Sequence, residues 1–424
     1  MSEFYKFWND LGWLANLLGI CLVAIPVFGL IKRNISWIEE KYREKNRTYR
    51  YKTNKNMNND IYLDWQLNFF KKTYKNSEFV NLYNKTYPAT MIRTSNDVRY
   101  PFSKLCFLLS SNVKPFTYDK YQKKYLKFLG DSVKRPKMKG FSTDELVLDD
   151  DGKIKRINAK TITYEQNLVT SHILEFELYE FYKKHKNKEV NIKKDLIYRS
   201  RYHGNKEPSS AILKPSDAYP LISIQALIIY KDYKDPENIS WKAIVAQRQK
   251  NVAVKPEIWQ IQPAGGFEIF GDESDDNEIL IEQGFNIRNA LLREYAEELY
   301  NIEEFSFCSD GRDSNSILSE AHVSRLLNLI EENKACLEFL GVVTDLSVLR
   351  HEASFLVIID DKDYSLQPIT GSSESIKISS VNINQLKEIF SKQKVHSSSA
   401  GLLQLAIESE TISKMGITDL LKSA

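Results

Sequence analysis

The chain has 424 residues, enough for about two to three domains of roughly 150 residues each. Its 42% hydrophobic and 27% charged residues exclude wholesale disorder, and 59 Lys and Arg against 56 Asp and Glu leave a net charge of +3. That balance makes a nucleic-acid polyanion a poor main partner, so no direct DNA or RNA binding is expected. Cys21, Cys106, Cys308 and Cys336 form no C-x-x-C, and the six histidines never pair at metal-ligand spacing. A disulfide framework and a structural zinc site are therefore not expected, and H-E-x-x-H chemistry is excluded.

Residues 11–31, LGWLANLLGICLVAIPVFGLI, run for 21 positions without a charge. A helix of about 20 apolar residues crosses a hydrocarbon core of about 30 Å. A cleaved leader would need a basic start and a shorter apolar stretch. Here Lys6 is offset by Glu3 and Asp10, and the run continues to Ile31 before Lys32-Arg33. A buried core helix would show a polar stripe, which is missing. A single transmembrane helix over 11–31 is the expectation, with the lipid bilayer as partner. Residues 32–55 hold nine basic and three acidic side chains. The positive-inside rule then places residues 1–10 outside and the C-terminal bulk in the cytoplasm, a single-pass protein of the cell inner membrane. Trp8, Trp13 and Trp37 flank the run. Gly12, Ala15, Asn16 and Gly19 share one helical face, where small residues let two helices approach closely; homo-oligomerisation through this face and an inert anchor both remain open.

Residues 32–60 read as a basic juxtamembrane linker, and 61–215 as a mixed α/β region. Within it the spacing predicts a helix over Asp64–Asn81, a basic loop at Lys134–Lys139, and two strands about a turn at Asp149–Gly152 within Leu146–Asn158. A long helix is predicted over Tyr164–Lys186. For Arg99–Phe102 and the residues around His172 a packing role is preferred over ligand contact, and no catalytic constellation stands out.

From 216 to 424 the pattern turns to strands, at Leu221–Tyr230 and Trp241–Gln247. A third strand enters the corner Gln262-Pro263-Ala264-Gly265-Gly266-Phe267-Glu268. Asn286–Ile302 reads as a helix with Asn286 as N-cap and Asn301 as a left-handed end. Glu294, Glu297 and Glu298 fall on one face, opposite Leu292, Tyr295, Ala296 and Leu299. Three carboxylates so close repel one another unless a cation neutralises them. Mg²⁺ is a hard cation that takes oxygen ligands and shares its shell with substrate phosphates. Gly265-Gly266 leaves room for a backbone carbonyl to approach the same cation. The competing reading is a solvated face with a weak Arg293–Glu297 pair.

Residues 265–302 resemble a Nudix box: a glycine corner, a loop glutamate, then Arg293-Glu294-Tyr295-Ala296-Glu297-Glu298 on a helix. The resemblance covers about 219–407 and implies an α/β/α sandwich with a mixed sheet, ending in a closing helix at Ser397–Ile407. It also implies Mg²⁺ or Mn²⁺ held by Glu294, Glu297 and Glu298. Glu294 and Glu298 would act in catalysis with Arg293 orienting a carboxylate. Gly265, Gly266, Glu268 and Glu352 would contact the ligand, Glu352 as a downstream acid just before the strand Ala353–Ile359. Two features depart from the family. Glu273 precedes Arg293 by twenty positions instead of eight, and Tyr300-Asn301 replaces the glycine that usually follows the paired glutamates.

The order of parts resembles the transmembrane–Nudix effectors of bacterial CBASS antiphage systems. That resemblance implies a sensor of a cyclic oligonucleotide or other phosphorylated nucleotide, clustering through its span to disrupt the inner membrane. The alternative is a Mg-dependent hydrolase of a nucleoside-diphosphate-linked compound at the membrane surface. An inert scaffold would leave the glutamate cluster unexplained.

Overall fold

The structure is a computed structural model that describes residues 40–41, 44–99, 105–130, 138–186, 188–249, 257–269, 278–302, 315–371 and 375–422. The apolar run 11–31 with its small-residue face, most of the Lys134–Lys139 loop and Glu273 lie outside the described residues. Among those described, no helix is long and apolar enough to cross a membrane. The chain divides into two compact units, 1–56 and 57–424. In the first, residues 44–56 are helical, and Thr48 Oγ1 donates to Glu44 O at 3.0 Å along that helix. The second holds the sheet and the candidate site.

Twelve strands are described in that second unit: β1 (Phe79–Leu82), β2 (Lys85–Arg93), β3 (Cys106–Ser110), β4 (Lys139–Leu148), β5 (Ile154–Thr163) and β6 (Ser223–Asp232) come first. They are followed by β7 (Ser240–Arg248), β8 (Trp259–Ile261), β9 (Ala264–Gly266), β10 (Ala335–Asp345), β11 (Arg350–Ile359) and β12 (Ser375–Asn382). The main sheet runs β1-β2-β10-β11-β6-β7-β12, with β8 on β7 and β9 on β6. β6 and β11 pair in parallel and the other neighbours are antiparallel, so the sheet is mixed.

β6 reads SIQALIIYKD because both its faces are covered, so apolar residues occupy successive positions. Ile224, Ala226, Ile228 and Tyr230 enter one core with Leu291, Leu292, Tyr295 and Leu299 of the helix Ile287–Tyr300. Leu227 and Ile229 enter a second core with Leu402, Leu403 and Ala406 of the helix Ser397–Ile407. We call these the glutamate helix and the closing helix. The result is a three-layered arrangement, helices on both faces of a mixed sheet. The closing helix spans the residues expected of it.

Two elements differ from the sequence reading. The first helix runs Asp60–Thr73, capped by Asn59, whose Oδ1 accepts from Ile61 N at 3.0 Å; it does not continue to Asn81. Residues Phe79–Leu82 instead form β1, because Tyr83 and Asn84 both take positive φ (51° and 61°) and make the tight two-residue turn that matches strand twist. The hairpin then extends the main sheet upstream of residue 216, since β2 pairs with β10. That pairing needs Gly341: a Cβ there would collide with Ile92 O, and the β-bulge between Phe339 and Gly341 resets which side chains face each core.

The strand–turn–strand expected at Leu146–Asn158 is present and longer. Asp149 Oδ1 accepts from Asp151 N and Lys153 N (3.0 and 2.8 Å), and Gly152 takes φ +75°. Residues 164–185 are helical as expected, with one widened turn at Leu168–His172. This middle region clamps the turn between β10 and β11. Arg199 donates to Leu346 O (3.0 Å) and Ser347 O (2.8 Å), Ser171 Oγ to Val348 O (2.6 Å) and Tyr202 OH to Leu349 O (3.1 Å). Four consecutive carbonyls, buried away from water, are thereby satisfied.

Candidate functional site

The glutamate helix begins and ends as its sequence dictates. Asn286 Oδ1 accepts from Arg288 N and Asn289 N (3.1 and 3.2 Å), and Asn301 closes it at φ 53°. Opposite it lies the corner Ala264–Gly266, held in register by β6, with Ser223, Ile224 and Gln225 paired to Gly266, Gly265 and Ala264. The small sheet β3-β5-β4 buttresses the corner from outside. Phe141 N donates to Phe267 O (2.9 Å), and Ile269 N to Lys139 O (2.9 Å).

The helix and corner meet through charged groups. Arg293 Nη2 donates to Gly266 O (2.8 Å) and to Glu294 Oε1 (2.7 Å), and its Nε lies 3.9 Å from Glu297 Oε1. Burial works against the Arg293 charge, but Glu294, Glu297 and Glu268 around it prevail and hold its pKa above the ordinary value. Glu298 Oε2 accepts from Ala264 N at 2.6 Å, and its Oε1 faces Gln262 Nε2 at 3.4 Å. The Glu294 carboxylate presses so closely on Gly265 that a Cβ there would overlap it. The Glu268 carboxylate reaches over Gly266, with Oε1 2.8 Å from where a Cβ would sit.

Arg293, Glu294 and Glu298 are 5%, 7% and 9% exposed, so this is not a solvated helix face. Around the Arg293 guanidinium gather the carboxylates of Glu268, Glu294 and Glu297, with Glu298 alongside on Ala264 N. Carboxylates brought this close in a part-buried corner repel one another, and a ligand that carries positive charge would relieve that repulsion. Among the described residues no three carboxylates form a preformed cation cage. The donor set nonetheless fits a hard divalent cation in kind, because carboxylate oxygens are its preferred ligands and Gly265 and Gly266 place no side chain of their own in the way. Glu294, Glu297 and Glu298 are the residues that would hold it.

Glu352 is placed differently. It sits on β11 in register with Ser223, buried and ion-paired with Arg350 at 2.9 Å. Strand alternation sets it with Leu356 and Ile358 on the face of the closing helix, whereas Gly265 and Glu294 share the other face with Ile224. The sequence reading overlooked Gln262, whose amide meets Glu298, and Gln260, which accepts from Arg248 Nη1 at 2.9 Å. The available signal was two glutamines alternating in a strand beside the apolar Ile261.

No family model matches the chain, and no curated protein matches its sequence. Among solved structures, the NUDIX domain of Shewanella oneidensis NrtR complexed with ADP-ribose is 13% identical, with a TM-score of 0.26, covering 45% of this chain and 88% of that one. A NUDIX hydrolase from Alicyclobacillus acidocaldarius is 12% identical with a TM-score of 0.26, over 44% of this chain and 90% of that one. A bifunctional NMN adenylyltransferase/ADP-ribose pyrophosphatase from Francisella tularensis, complexed with AMP and a manganese ion, is 13% identical. Its TM-score is 0.27, over 72% of this chain and 91% of that one. The solved structures to which this chain is similar thus include two described as NUDIX proteins.

Proposed function

We propose that the chain is a divalent-cation-dependent, Nudix-type hydrolase acting on a diphosphate-containing nucleotide. The observation that supports it is the charge arrangement at the corner. The Glu268, Glu294 and Glu297 carboxylates gather around the Arg293 guanidinium, with Glu294 and Glu298 packed against Gly265 and Ala264. Mg²⁺ or Mn²⁺ bound there would neutralise charge on the diphosphate oxygens. Arg293 fixes the rotamer of Glu294 by bonding it and Gly266 O together. A glutamate positioned in this way can accept the proton of an attacking water as the water oxygen bonds to phosphorus and the bridging P–O bond breaks.

A second reading keeps the same corner as a sensor: a phosphorylated nucleotide, such as a cyclic oligonucleotide, binds without turnover and the N-terminal segment disrupts the inner membrane. The 21-residue uncharged run followed by nine basic residues favours it, because a soluble hydrolase has no need of such a segment. One experiment separates the two. Full-length protein is reconstituted in dye-loaded vesicles with Mg²⁺ and challenged with dinucleoside diphosphates, nucleoside-diphosphate sugars and cyclic oligonucleotides. The hydrolase reading expects product release that falls at least about a hundredfold in Glu298→Gln, the scale of a lost general base or ligand. Dye leakage with an intact nucleotide would overturn it in favour of the sensor.

A further inference from the structure

Beside the corner, three large aromatic rings are half exposed, two in the middle region and Tyr219 just after it, with Phe116 in contact with the other two. Phe116 lies 5.3 Å from Tyr118 and 5.9 Å from Tyr219, between ring centroids. Lys160 Nζ stands 4.8 Å over the Tyr219 ring and 3.0 Å from Asp144 Oδ1. The patch is held firmly. Gln166 Nε2 donates to Lys114 O at 2.9 Å, fixing the approach to Phe116, and Tyr219 N donates to Thr170 Oγ1 at 3.0 Å.

Strand pairing sets its distance from the corner. Lys160 is paired with Ser142, and Ser142 is bridged to Leu221. Leu221 Cδ2 lies 3.1 Å from the position a Cβ would take on Gly266. Two strand spacings, about 10 Å, therefore separate Lys160 from the strand whose leucine touches the corner. That is comparable to the reach of a nucleoside from its base to its 5′-phosphates.

We propose that Phe116, Tyr118 and Tyr219, with Lys160 and Asp144 at their edge, form the nucleobase platform of the site, so that the middle region together with Tyr219 selects a nucleoside over a bare sugar phosphate. This rests on the reading of the corner as a diphosphate site. Half-exposed aromatic rings offer stacking area to a planar ligand, and pre-positioned rings lose little entropy on binding it. An ammonium beside a carboxylate offers a donor and an acceptor to the polar edge of a base. An apolar peptide would have no use for that pair.

The test is calorimetric titration of full-length protein in detergent with AMP and with ribose 5-phosphate, in Mg²⁺. AMP is expected to bind at least about tenfold more tightly, the contribution of stacking one base. Phe116→Leu with Tyr118→Leu, which keeps apolar bulk, should remove that advantage without changing affinity for ribose 5-phosphate; Tyr219→Phe, which keeps the ring, should retain it. Equal affinities in the unaltered protein would overturn the platform, as would an undiminished AMP preference in the Leu variant. Turnover is followed separately with a dinucleoside diphosphate. Base preference without turnover removes the hydrolase and leaves the platform, whereas turnover without base preference removes only the platform.

Discussion

Gly265→Ala isolates the contact on which the candidate site depends. The added methyl would overlap the Glu294 carboxylate, so either the side chain leaves its rotamer or the glutamate helix retreats from the corner. In the first case the 2.7 Å bond between Arg293 Nη2 and Glu294 Oε1 breaks inside a region where both residues are less than a tenth exposed. Breaking a buried pair costs about 3–5 kcal/mol, and the lower figure applies here because both charges remain and can partly re-pair. In the second case Arg293 loses Gly266 O and Glu298 loses Ala264 N, a comparable sum of charge-assisted bonds. Either way, full-length protein should melt several degrees lower and lose Mg²⁺-dependent turnover. Gly284→Ala is the control, because its Cβ would meet Ile269 Cγ2 at an ordinary 3.5 Å. A Gly265→Ala protein that melts and turns over like the unaltered chain would refute the close packing of Glu294 on the corner.

Glu177 tests the middle region by pH. Burial raises its carboxyl to about 7, although it accepts from Tyr198 N and Arg199 N at 2.8 and 3.1 Å. A raised acid holds its proton better when folded, so its contribution to stability is present below the unfolded pKa of about 4.5 and is lost as pH rises through about 7. Glu177→Gln should therefore gain melting temperature relative to the unaltered protein at pH 8 compared with pH 5; a difference that does not change with pH would refute the assignment. Arg199→Met leaves Tyr74 OH, Leu346 O and Ser347 O without their buried donor. It should destabilise the protein by about 3 kcal/mol or more, read as a lowered denaturation midpoint, and a neutral outcome would show that the β10–β11 turn does not depend on this clamp.

Much of the candidate site is written locally. Asn286 and Asn301 mark the ends of the glutamate helix through hydrogen bonds and a backbone conformation that each makes within a few residues. The 3.6-residue period places Leu292, Tyr295 and Leu299 in the core and brings the glutamates to one side. The run of branched residues in β6 announces a strand covered on both faces. Glu352 shows the opposite situation. The strand over 353–359 is legible, but pairing with β6 and β10 extends it back to Arg350, so that Glu352 lies within it and its face of the sheet is set by that pairing. The β1–β2 hairpin was hidden for a similar reason: Tyr83 and Asn84 do not form a glycine-bearing turn signal, and β10 supplies the edge that makes the strands worthwhile.

Amino-acid order alone determined the helix with its caps, the carboxylate spacing, the glycine corner and the uncharged N-terminal run, because each is set by bonds and periodicities spanning fewer than about six residues or one helix. Tertiary structure decided that Glu294 and Glu298 are buried against that corner, that Arg293 ties helix to corner, and that residues 79–93 and 139–163 complete and buttress the sheet. Burial and charge pairing depend on groups brought together from distant parts of the chain, and no local pattern records which of them will meet.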